Sequence, residues 1–454
     1  MDDLDRHPPV PQVPVPVTGE RPASVAVIGG GVAGLTAAHI AARHARITLF
    51  EADDRLGGHA HTQYVTLDDG SRVAVDTGFI VHNDRTYPTL LTLFDELGIA
   101  TTDTDMSMSV RSEISGLEYA GALGLSGLFP TMRTLTRGRY LRMLVEITRF
   151  HRAARRVLDA AGDDIPLSEF VDREGFSDYF RDNFLLPLVA AVWSCESHTA
   201  AAYPARYLFT FLDHHGMLTV FGSPTWRTVR GGSVQYVDAV ADGVRARGGT
   251  IRLSAPVRRI TESADGVTVT TDDAVETFDA VVVATHPHQA LAMLTDPGPL
   301  VSEVLGSIRY AAKPAVLHTD TWLLPRAEKA RASWNYQIRD DGRGPGEIAV
   351  TYDLTRLMRL AVAKPRLLVT MGRTDLVDPA QVLAEMTYEH PVYTVESVAA
   401  QARLPEIDSS RVVFAGAYHG WGFHEDGAAS GARAAARLGL SWTDQPEHDR
   451  VATP

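Results

Sequence analysis

Three glycines between a short apolar run and a stretch of small residues constrain the fold more than any other feature. Gly29, Gly31 and Gly34 have the spacing G-x-G-x-x-G, directly after SVAVI and within VAGLTAAHIAARHA. A strand, a glycine turn, a helix and the strand-like run ARITLFEAD predict a βαβ unit with parallel strands and a right-handed crossover. In such a unit the glycines allow a tight turn, the close approach of a pyrophosphate and close helix–strand packing.

The same unit predicts a dinucleotide site. Its helix would begin at Val32 and Ala33, where free N–H groups and the positive end of the helix dipole favour a phosphate. Glu51, followed by Ala52, ends the second strand 17 residues after Gly34, where a carboxylate can accept hydrogen bonds from a ribose. An NADP site would instead present an arginine. A glycine-rich turn followed by a solvated glutamate is the alternative, and the βαβ context makes it the weaker one.

Charge and cysteine content limit the remaining classes of protein. The 454 residues include 43 Lys or Arg and 56 Asp or Glu, for a net charge of −13. That balance disfavours nucleic acid as a partner and leaves only a local basic patch for an anionic surface. The single cysteine, Cys195, excludes an intrachain disulfide, and no Cys/His spacing predicts a metal site. We therefore expect no nucleic acid, no metal and a cytoplasmic location.

The stretch EADDRLGGHAHT carries a resemblance to a known family. Arg55, Gly57 and Gly58 match the pattern R-x-G-G-R, with His59 in the place of the second arginine. This pattern resembles the flavin-containing amine oxidase superfamily, whose members lay this loop along the FAD pyrophosphate and ribityl chain. Adjacent glycines also let backbone amides meet a phosphate without an intervening Cβ atom. The resemblance implies non-covalent FAD, and a simple Gly-Gly turn is the alternative.

Three further segments extend the resemblance over most of the chain. DTGFIVHN resembles the family's D-x-G strand, which implies that Thr77, Gly78 and Phe79 lie near the isoalloxazine ring. APVRRI resembles the strand whose valine backbone faces adenine, here Val257. VVFAGAYHGWGFHEDGAASGARAA resembles the C-terminal flavin motif, where relatives often carry an acid at the position of the alanine after FAG. The implied contacts there are Gly416, Ala417, Phe423, Glu425, Asp426, Gly427 and Ala428.

The match is closer to one bacterial subgroup, the predicted NAD/FAD-binding amine-oxidase-like proteins. DTGFIVHNDRTYP, WSCESH, YPAR and GFHEDG look like that subgroup, some of whose members are associated with enzymes that methylate or cyclopropanate membrane fatty acids. This implies an FAD-dependent oxidoreductase that dehydrogenates or isomerises a fatty acyl or lipid chain by hydride transfer to flavin N5. An oxygen-dependent amine oxidase and a non-catalytic flavin-binding partner protein are the alternatives.

Two residues are candidates for catalysis. Lys313 falls where family members place a lysine that holds a water beneath N5, although a surface-loop lysine is an equal alternative. His424 occupies the place of an aromatic over the flavin and would bind a polar group or transfer a proton near neutral pH. A structural histidine bonded to the turn is the alternative for His424. Candidate pocket residues, each of which is more often core than site, are Tyr310, Trp334, Tyr336 and Trp421.

The predicted fold is α/β, with a discontinuous Rossmann-like FAD-binding domain and an inserted mixed α+β substrate domain. The FAD-binding domain takes residues 23–85, 225–290 and 406–440, the substrate domain takes 86–224 and 291–405, and the tails are 1–22 and 441–454. The expected partner is a small-molecule or lipid substrate. The arginine-rich stretch RTLTRGRYLRMLVEITRFHRAARR would touch anionic head groups transiently at the inner membrane face, or form a solvated helix face.

Overall fold

A computed structural model describes residues 21–193, 197–219, 223–339, 349–362 and 364–442, and Cys195 lies outside them. The strands over these residues are β1 (Ser24–Ile28), β2 (Arg46–Phe50), β3 (Thr62–Thr66), β4 (Arg72–Asp76), β5 (His82–Asn83), β6 (Thr101–Asp103), β7 (Met108–Ser112), β8 (Leu117–Ala120), β9 (Trp226–Val229), β10 (Thr250–Arg252), β11 (Val257–Ser263), β12 (Gly266–Thr271), β13 (Val275–Phe278), β14 (Ala280–Val283), β15 (Arg309–His318), β16 (Trp334–Ile338), β17 (Ala349–Asp353), β18 (Leu368–Gly372), β19 (Val382–Val392) and β20 (Val412–Phe414).

The α-helices of the same residues vary in length from a single turn to six turns. They are α1 (Val32–Ala41), α2 (Pro88–Leu97), α3 (Gly124–Leu128), α4 (Met132–Leu135), α5 (Gly138–Asp159), α6 (Leu167–Glu174), α7 (Asp178–Phe180), α8 (Leu186–Trp193), α9 (Ser197–Ala202), α10 (Ala205–His214), α11 (Val234–Ala246), α12 (Pro287–Met293), α13 (Gly298–Gly306), α14 (Leu354–Leu357), α15 (Val395–Arg403) and α16 (His424–Arg437). None of them is long and apolar enough to cross a bilayer.

A five-stranded parallel sheet forms the nucleotide-binding half, with the strand order β10-β2-β1-β14-β20. Its central strands are buried β-branched runs, as expected for a sheet covered on both faces. The strands come from three separated stretches of the chain, which confirms the predicted fold class. Gly29, Glu51, Ala284 and Gly416 follow the carboxyl ends of four of these strands, so the edge where such sheets bind ligands is rich in the predicted contacts.

A seven-stranded mixed sheet and a helical layer form the second half. The sheet has the order β19-β15-β18-β17-β16-β7-β8. The helical layer, from α5 to α10, encloses an aromatic-rich core around Phe150, Phe180 and Phe209, all fully buried. The apolar segment FLLPLVAAVW runs from the π-helical turn Arg181–Leu185 into α8.

Two assignments at the domain borders need correction. α2, assigned from the sequence to the substrate domain, packs Leu90, Leu93 and Phe94 into the core that also contains β1 and α1. The predicted flexible tail begins with Ser441 and Trp442, yet Trp442 contacts α1 and Ser441 contacts the turn that follows α1. The Ser441 carbonyl lies 2.9 Å from His44 Nε2, and the Trp442 ring lies edge-on to His39. The amphipathic run PTLLTLFDEL indicates a helix, but the sequence does not show which core its apolar face meets.

Candidate active site

A cavity of about 850 Å³ lies where the carboxyl edge of the parallel sheet meets the mixed sheet and the helical layer. Twenty of the residues predicted from the sequence line it. They are Gly29, Gly31, Val32, Ala33, Glu51, Ala52, Arg55, Gly58, His59, Thr77, Gly78, Phe79, Val257, Gly416, Ala417, Phe423, His424, Tyr310, Trp334 and Trp421.

The glycine turn after β1 is shaped by close packing on one side and open space on the other. A Cβ on Gly34 would lie 1.9 Å from the Gly29 carbonyl oxygen, and a Cβ on Gly29 would lie 2.6 Å from the Ala284 oxygen. Gly29 also has φ +103°, where side chains are strained. A Cβ on Gly31, in contrast, would meet no atom within 4 Å. The turn is therefore tight towards the sheet and open towards the cavity, as a bound pyrophosphate requires.

Glu51 is fixed at the cavity wall by two backbone donors. Its Oε2 accepts a hydrogen bond from the Gly30 N–H at 2.6 Å, and its Oε1 accepts one from the Asp53 N–H at 2.9 Å. Each carboxylate oxygen has a further lone pair that can accept from a hydroxyl group. This geometry fits the ribose contact that the sequence predicts for Glu51.

The loop with the paired glycines packs directly on the glycine turn. The Gly57 N–H donates to the Gly30 carbonyl at 2.8 Å, and Gly57 has φ +108°. A Cβ on Gly58 would lie 3.2 Å from the Gly31 Cα. Arg55 Nη1 donates to the Gly58 carbonyl at 2.9 Å and holds the loop closed. The glycines therefore bring two stretches of backbone together at the edge of the cavity.

His59 supplies an unsatisfied polar atom to that edge. Its Nε2 is buried and has no hydrogen-bond partner among the residues that the structure describes. Burial, together with the neighbouring His390 and His286, holds the His59 pKa well below its usual value, so the ring is neutral at physiological pH. A buried nitrogen without a partner is costly, and a polar ligand in the cavity would satisfy it. This orphaned atom and the open Gly31 cradle fit FAD.

The side chains of the two acids that open α16 do not line this cavity, and their place beneath the flavin stays a prediction. Glu425 accepts from the N–H groups of Thr89 and Leu90, both at 2.9 Å, and so caps the N-terminus of α2. Asp426 Oδ2 accepts from the Phe423 N–H at 2.8 Å within its own turn. Both acids instead line a second cavity of about 390 Å³ behind the loop. Burial raises the pKa of Glu425 to about 7 and of Asp426 to about 6.

Gly427 serves helix packing rather than the cavity wall. A Cβ on Gly427 would lie 2.6 Å from the Val32 side chain, and Gly431 one turn later would clash with the Ala33 carbonyl at 2.1 Å. Ala428 is fully buried in the same core. These small residues let α16 approach α1, which positions the loop before α16 over the glycine turn. Gly34 and Gly57 likewise shape the backbone without lining the cavity.

His424 is held between an aromatic ring and a buried phenol. Its imidazole stacks on Phe79 with ring centroids 3.6 Å apart and planes within 5°. Its Nε2 lies 2.8 Å from the Tyr236 hydroxyl. Burial and the nearby His82 lower the His424 pKa to about 3, so the ring stays neutral and does not titrate near pH 7. The structure therefore places a neutral, fixed imidazole beside the cavity, and the catalytic role of His424 stays a prediction.

Lys313 lies within β15 rather than before a strand. It pairs across the sheet with Tyr388 of β19 and is half-buried. Directly paired residues share a sheet face, so Lys313 lies on the face from which Tyr388 reaches the cavity. Lys313 itself is not among the cavity-lining residues. Its proposed role, holding a water near the flavin, stays a prediction.

A histidine-rich wall on β19 and after β14 was missed from the sequence. His286, Tyr388, Glu389 and His390 all line the cavity around His59, whose ring centroid is 5.2 Å from that of Tyr388 and 5.5 Å from that of His390. His286 Nδ1 lies 2.7 Å from Glu389 Oε2. Burial and the nearby Lys313 lower the His390 pKa to about 4. THPHQAL was the one available signal, because two histidines follow a buried strand at the binding edge.

That wall also contains a group with metal-binding potential, which the sequence prediction did not include. Ligand atoms of His286, His288 and Glu389 all lie within 4.8 Å of one another. The direct His286–Glu389 hydrogen bond already accounts for their proximity. We therefore interpret His286 and Glu389 as a polar part of the cavity wall, with His288 beside them and outside the cavity lining.

The four predicted pocket aromatics divide into two groups. Trp334, Tyr310 and Trp421 line the cavity. Tyr336 shares the face of Trp334 on β16 but is buried in the core of the mixed sheet with Val350 and Leu354, so its assignment to the pocket was wrong. The alternation of side chains along a strand predicts the sheet face on which a residue lies, but it does not predict how far the cavity extends over that face.

Comparisons with known proteins agree on the class of this chain. A family model described as flavin containing amine oxidoreductase matches residues 32–327. AofH of Mycobacterium tuberculosis, described as a flavin-containing monoamine oxidase, is 31% identical over 290 residues, which are 60% of this chain and 59% of that protein. The carotenoid phi-ring synthase of Streptomyces griseus is 28% identical over 337 residues, which are 68% of this chain and 60% of that protein. The chain thus spans about three fifths of the length of these relatives.

Solved structures extend the similarity to the whole fold. The CLA-producing fatty acid isomerase from P. acnes superposes with a TM-score of 0.65 and 17% sequence identity. The match covers 91% of this chain and 98% of the isomerase. At this identity the likeness shows a common fold.

Proposed function

Since this chain belongs to the flavin-containing amine oxidoreductase family, we propose that it is an FAD-dependent oxidoreductase that dehydrogenates or isomerises a fatty acyl or lipid chain. The redox chemistry, acceptance of a hydride from the substrate, would be supplied by FAD held at the glycine turn after β1. The observation that carries the proposal is the chemistry of one part of the cavity wall, which is apolar and aromatic apart from His215. That wall consists of Val81, Met106, Val192, Trp193, Phe211, His215, Met217, Trp226, Trp334, Tyr352, Met371, Trp421 and Phe423.

This wall offers no charge to an amine. His215 is its one ionisable group with a pKa near the physiological range in water, and burial lowers that pKa to about 4. Among the described lining residues the carboxylates are Glu51 and Asp53 at the end of β2, and Glu389 beside His286. An ammonium group buried against the apolar wall would lack a counter-ion, which costs several kcal/mol as an order of magnitude. An acyl chain carries no such penalty.

The aromatic part of the wall is held in place by its own contacts. Trp193 Nε1 donates to the Trp421 carbonyl at 3.0 Å, and Phe211 stacks on Phe423 at 5.0 Å. Fixed rings of this kind exclude water and orient an extended chain by shape. The neutral His424, fixed by Tyr236, lies at the border between this wall and Phe79. The names of two relatives, a fatty acid isomerase and a carotenoid synthase, support an apolar substrate for this chain.

Co-purified lipid offers a direct test. The full-length protein should carry acyl lipid that mass spectrometry detects after extraction. Val192→Trp would fill the apolar part of the cavity and should remove that lipid while FAD content stays unchanged. Absence of acyl lipid from the wild-type protein, or equal amounts in the filled variant, would contradict the proposal.

Amine oxidation is the second candidate, and the match to AofH favours it. It predicts oxygen uptake and peroxide release when primary or secondary amines are added to the FAD-loaded protein. Amine-dependent peroxide formation without any change in acyl lipids would establish this candidate in place of the first.

A further inference from the structure

Exposed apolar and basic residues occur together in a part of the sequence that is separate from the nucleotide-binding residues. Over the described residues, exposed large apolar side chains concentrate in α3, α4 and the first turns of α5. They are Leu125 (77% exposed), Met132 (80%), Leu135 (44%), Leu141 (40%) and Val145 (67%). Scattered exposed apolar residues are normal, but five within 21 positions form a patch that requires an explanation.

The segment is held with these side chains outward. Thr134, Tyr140 and Met143 are buried, so they anchor the segment from within. The Tyr140 hydroxyl donates to the Leu128 carbonyl at 2.8 Å, which ties the end of α3 to the start of α5. Because these anchors face the core, the exposed side chains next to them along the chain, Leu135 and Leu141, face outward.

The charges carried by residues 119–145 are all positive, and the exposed Glu328, in the turn Glu328–Ala330 beside α3, lies 3.8 Å from Arg331. No acidic residue occurs between Glu118 and Glu146, while Arg133, Arg139 and Arg142 are exposed there. Glu146 is buried and accepts hydrogen bonds from Ser177, so it faces inward. Arg142 lies 3.8 Å from Glu146, whereas no ion pair with a described carboxylate is recorded for Arg133 or Arg139. The acids Asp178 and Asp182 of the neighbouring helices pair with Arg181.

We propose that this basic apolar patch, the exposed residues of 125–145, docks the protein on an anionic phospholipid membrane surface. Apolar side chains would enter the boundary between head groups and acyl chains, and the arginines would contact the phosphates. The net charge of −13 does not prevent this, because charges beyond about 8 Å are screened at physiological salt. A symmetric contact between two copies is disfavoured, since it would bring the same arginines together. The inference does not depend on which substrate the cavity takes.

Vesicle sedimentation tests the electrostatic half of the proposal. FAD-loaded full-length protein should bind vesicles of phosphatidylglycerol and phosphatidylcholine at 0.1 M salt, and should bind pure phosphatidylcholine much more weakly. Arg133→Gln with Arg139→Gln should weaken binding on the order of twentyfold, since each arginine near an anionic surface contributes about fivefold. The matched control is Arg245→Gln with Arg247→Gln at the C-terminal end of α11, which should bind as the wild type does.

A second pair of variants tests the apolar half. Leu125→Ser with Met132→Ser should reduce vesicle binding, while Val275→Ser with Leu383→Ser, also exposed, should not. The proposal would be overturned if the wild-type protein did not bind anionic vesicles. It would also be overturned if the control variants lost as much binding as the patch variants. A concentration-dependent dimer that the Leu125/Met132 variant abolishes, without vesicle binding, would assign the patch to a second copy instead.

Discussion

Two glycines at the turn after β1 have different roles, one in folding and the other in cofactor binding. Gly34 has no room for a Cβ because the Gly29 oxygen lies 1.9 Å from that position, whereas Gly31 faces open space. Gly31 also has φ −73°, which any residue adopts. The two positions therefore make different predictions for the same substitution.

Gly31→Ala should fold with an unchanged Tm in the absence of FAD but bind FAD roughly tenfold more weakly, because its methyl group enters the cradle. Gly34→Ala should lower the Tm itself. Gly243→Ala is the control, since its Cβ meets only the end of the Arg247 side chain, at 3.3 Å. Thermal unfolding and FAD titration of the three variants provide the comparison. Undiminished FAD affinity in Gly31→Ala would show that the pyrophosphate does not approach there.

The hydrogen bond between His424 and Tyr236 leads to a second prediction at the scale of single residues. His424→Phe should keep the stack on Phe79 but leave the buried Tyr236 hydroxyl without its partner, at a cost of about 1–3 kcal/mol. Adding Tyr236→Phe should recover much of that stability. Rapid-mixing measurements of flavin reduction on the same variants test catalysis: an unchanged rate in His424→Phe would leave His424 a purely structural residue.

At the scale of elements, α2 depends on α16 for its N-terminal cap. Glu425 accepts from the first N–H groups of α2, and burial raises its pKa from about 4.5 to about 7. A carboxyl whose pKa is raised by folding stabilises the protein while protonated. Its contribution is complete below the unfolded pKa and is lost as the pH rises through the folded value.

Comparing the wild type with Glu425→Gln isolates this effect from those of Asp76 and Asp426, whose pKa values are also raised. The stability difference between wild type and variant should shrink between about pH 4.5 and pH 7, by up to roughly 1.4 kcal/mol per pH unit. Urea unfolding at several pH values measures it. A difference that stays constant across this window would mean that the Glu425 carboxyl titrates alike in both states.

Sequence patterns predicted the secondary-structure elements better than they predicted which elements pack against one another. β1, α1 and β2 follow from one apolar run, three glycines and a terminal Glu51, because the physics of a dinucleotide turn is local. Other features depend on which elements pack together, and no short stretch of sequence contains that information. They are the capping of α2 by Glu425, the burial of Tyr336 in the core of the mixed sheet, and the core into which α2 packs. His390 and Tyr388 were missed for the same reason, since β19 reaches the cavity only through its pairing with β15.

At the scale of the molecule, the cavity joins the two halves. Its walls come from the parallel sheet, the mixed sheet and the helical layer, so a ligand in it contacts all three. FAD should therefore stabilise the whole chain, by about 2.7 kcal/mol when free FAD is at a hundred times its Kd. Differential scanning calorimetry with and without FAD measures this gain. A gain confined to one of two separate transitions would show that the halves unfold independently.

The proposed acyl substrate is tested most directly by anaerobic mixing of the FAD-loaded protein with fatty acids, phospholipids or amines. Flavin absorbance and the recovered substrate would be followed together. The account predicts that an acyl lipid either bleaches the flavin with loss of two hydrogens from the chain, or emerges with a shifted double bond. Amines should leave the spectrum unchanged. Bleaching by amines alone, with every acyl lipid recovered unaltered, would contradict it.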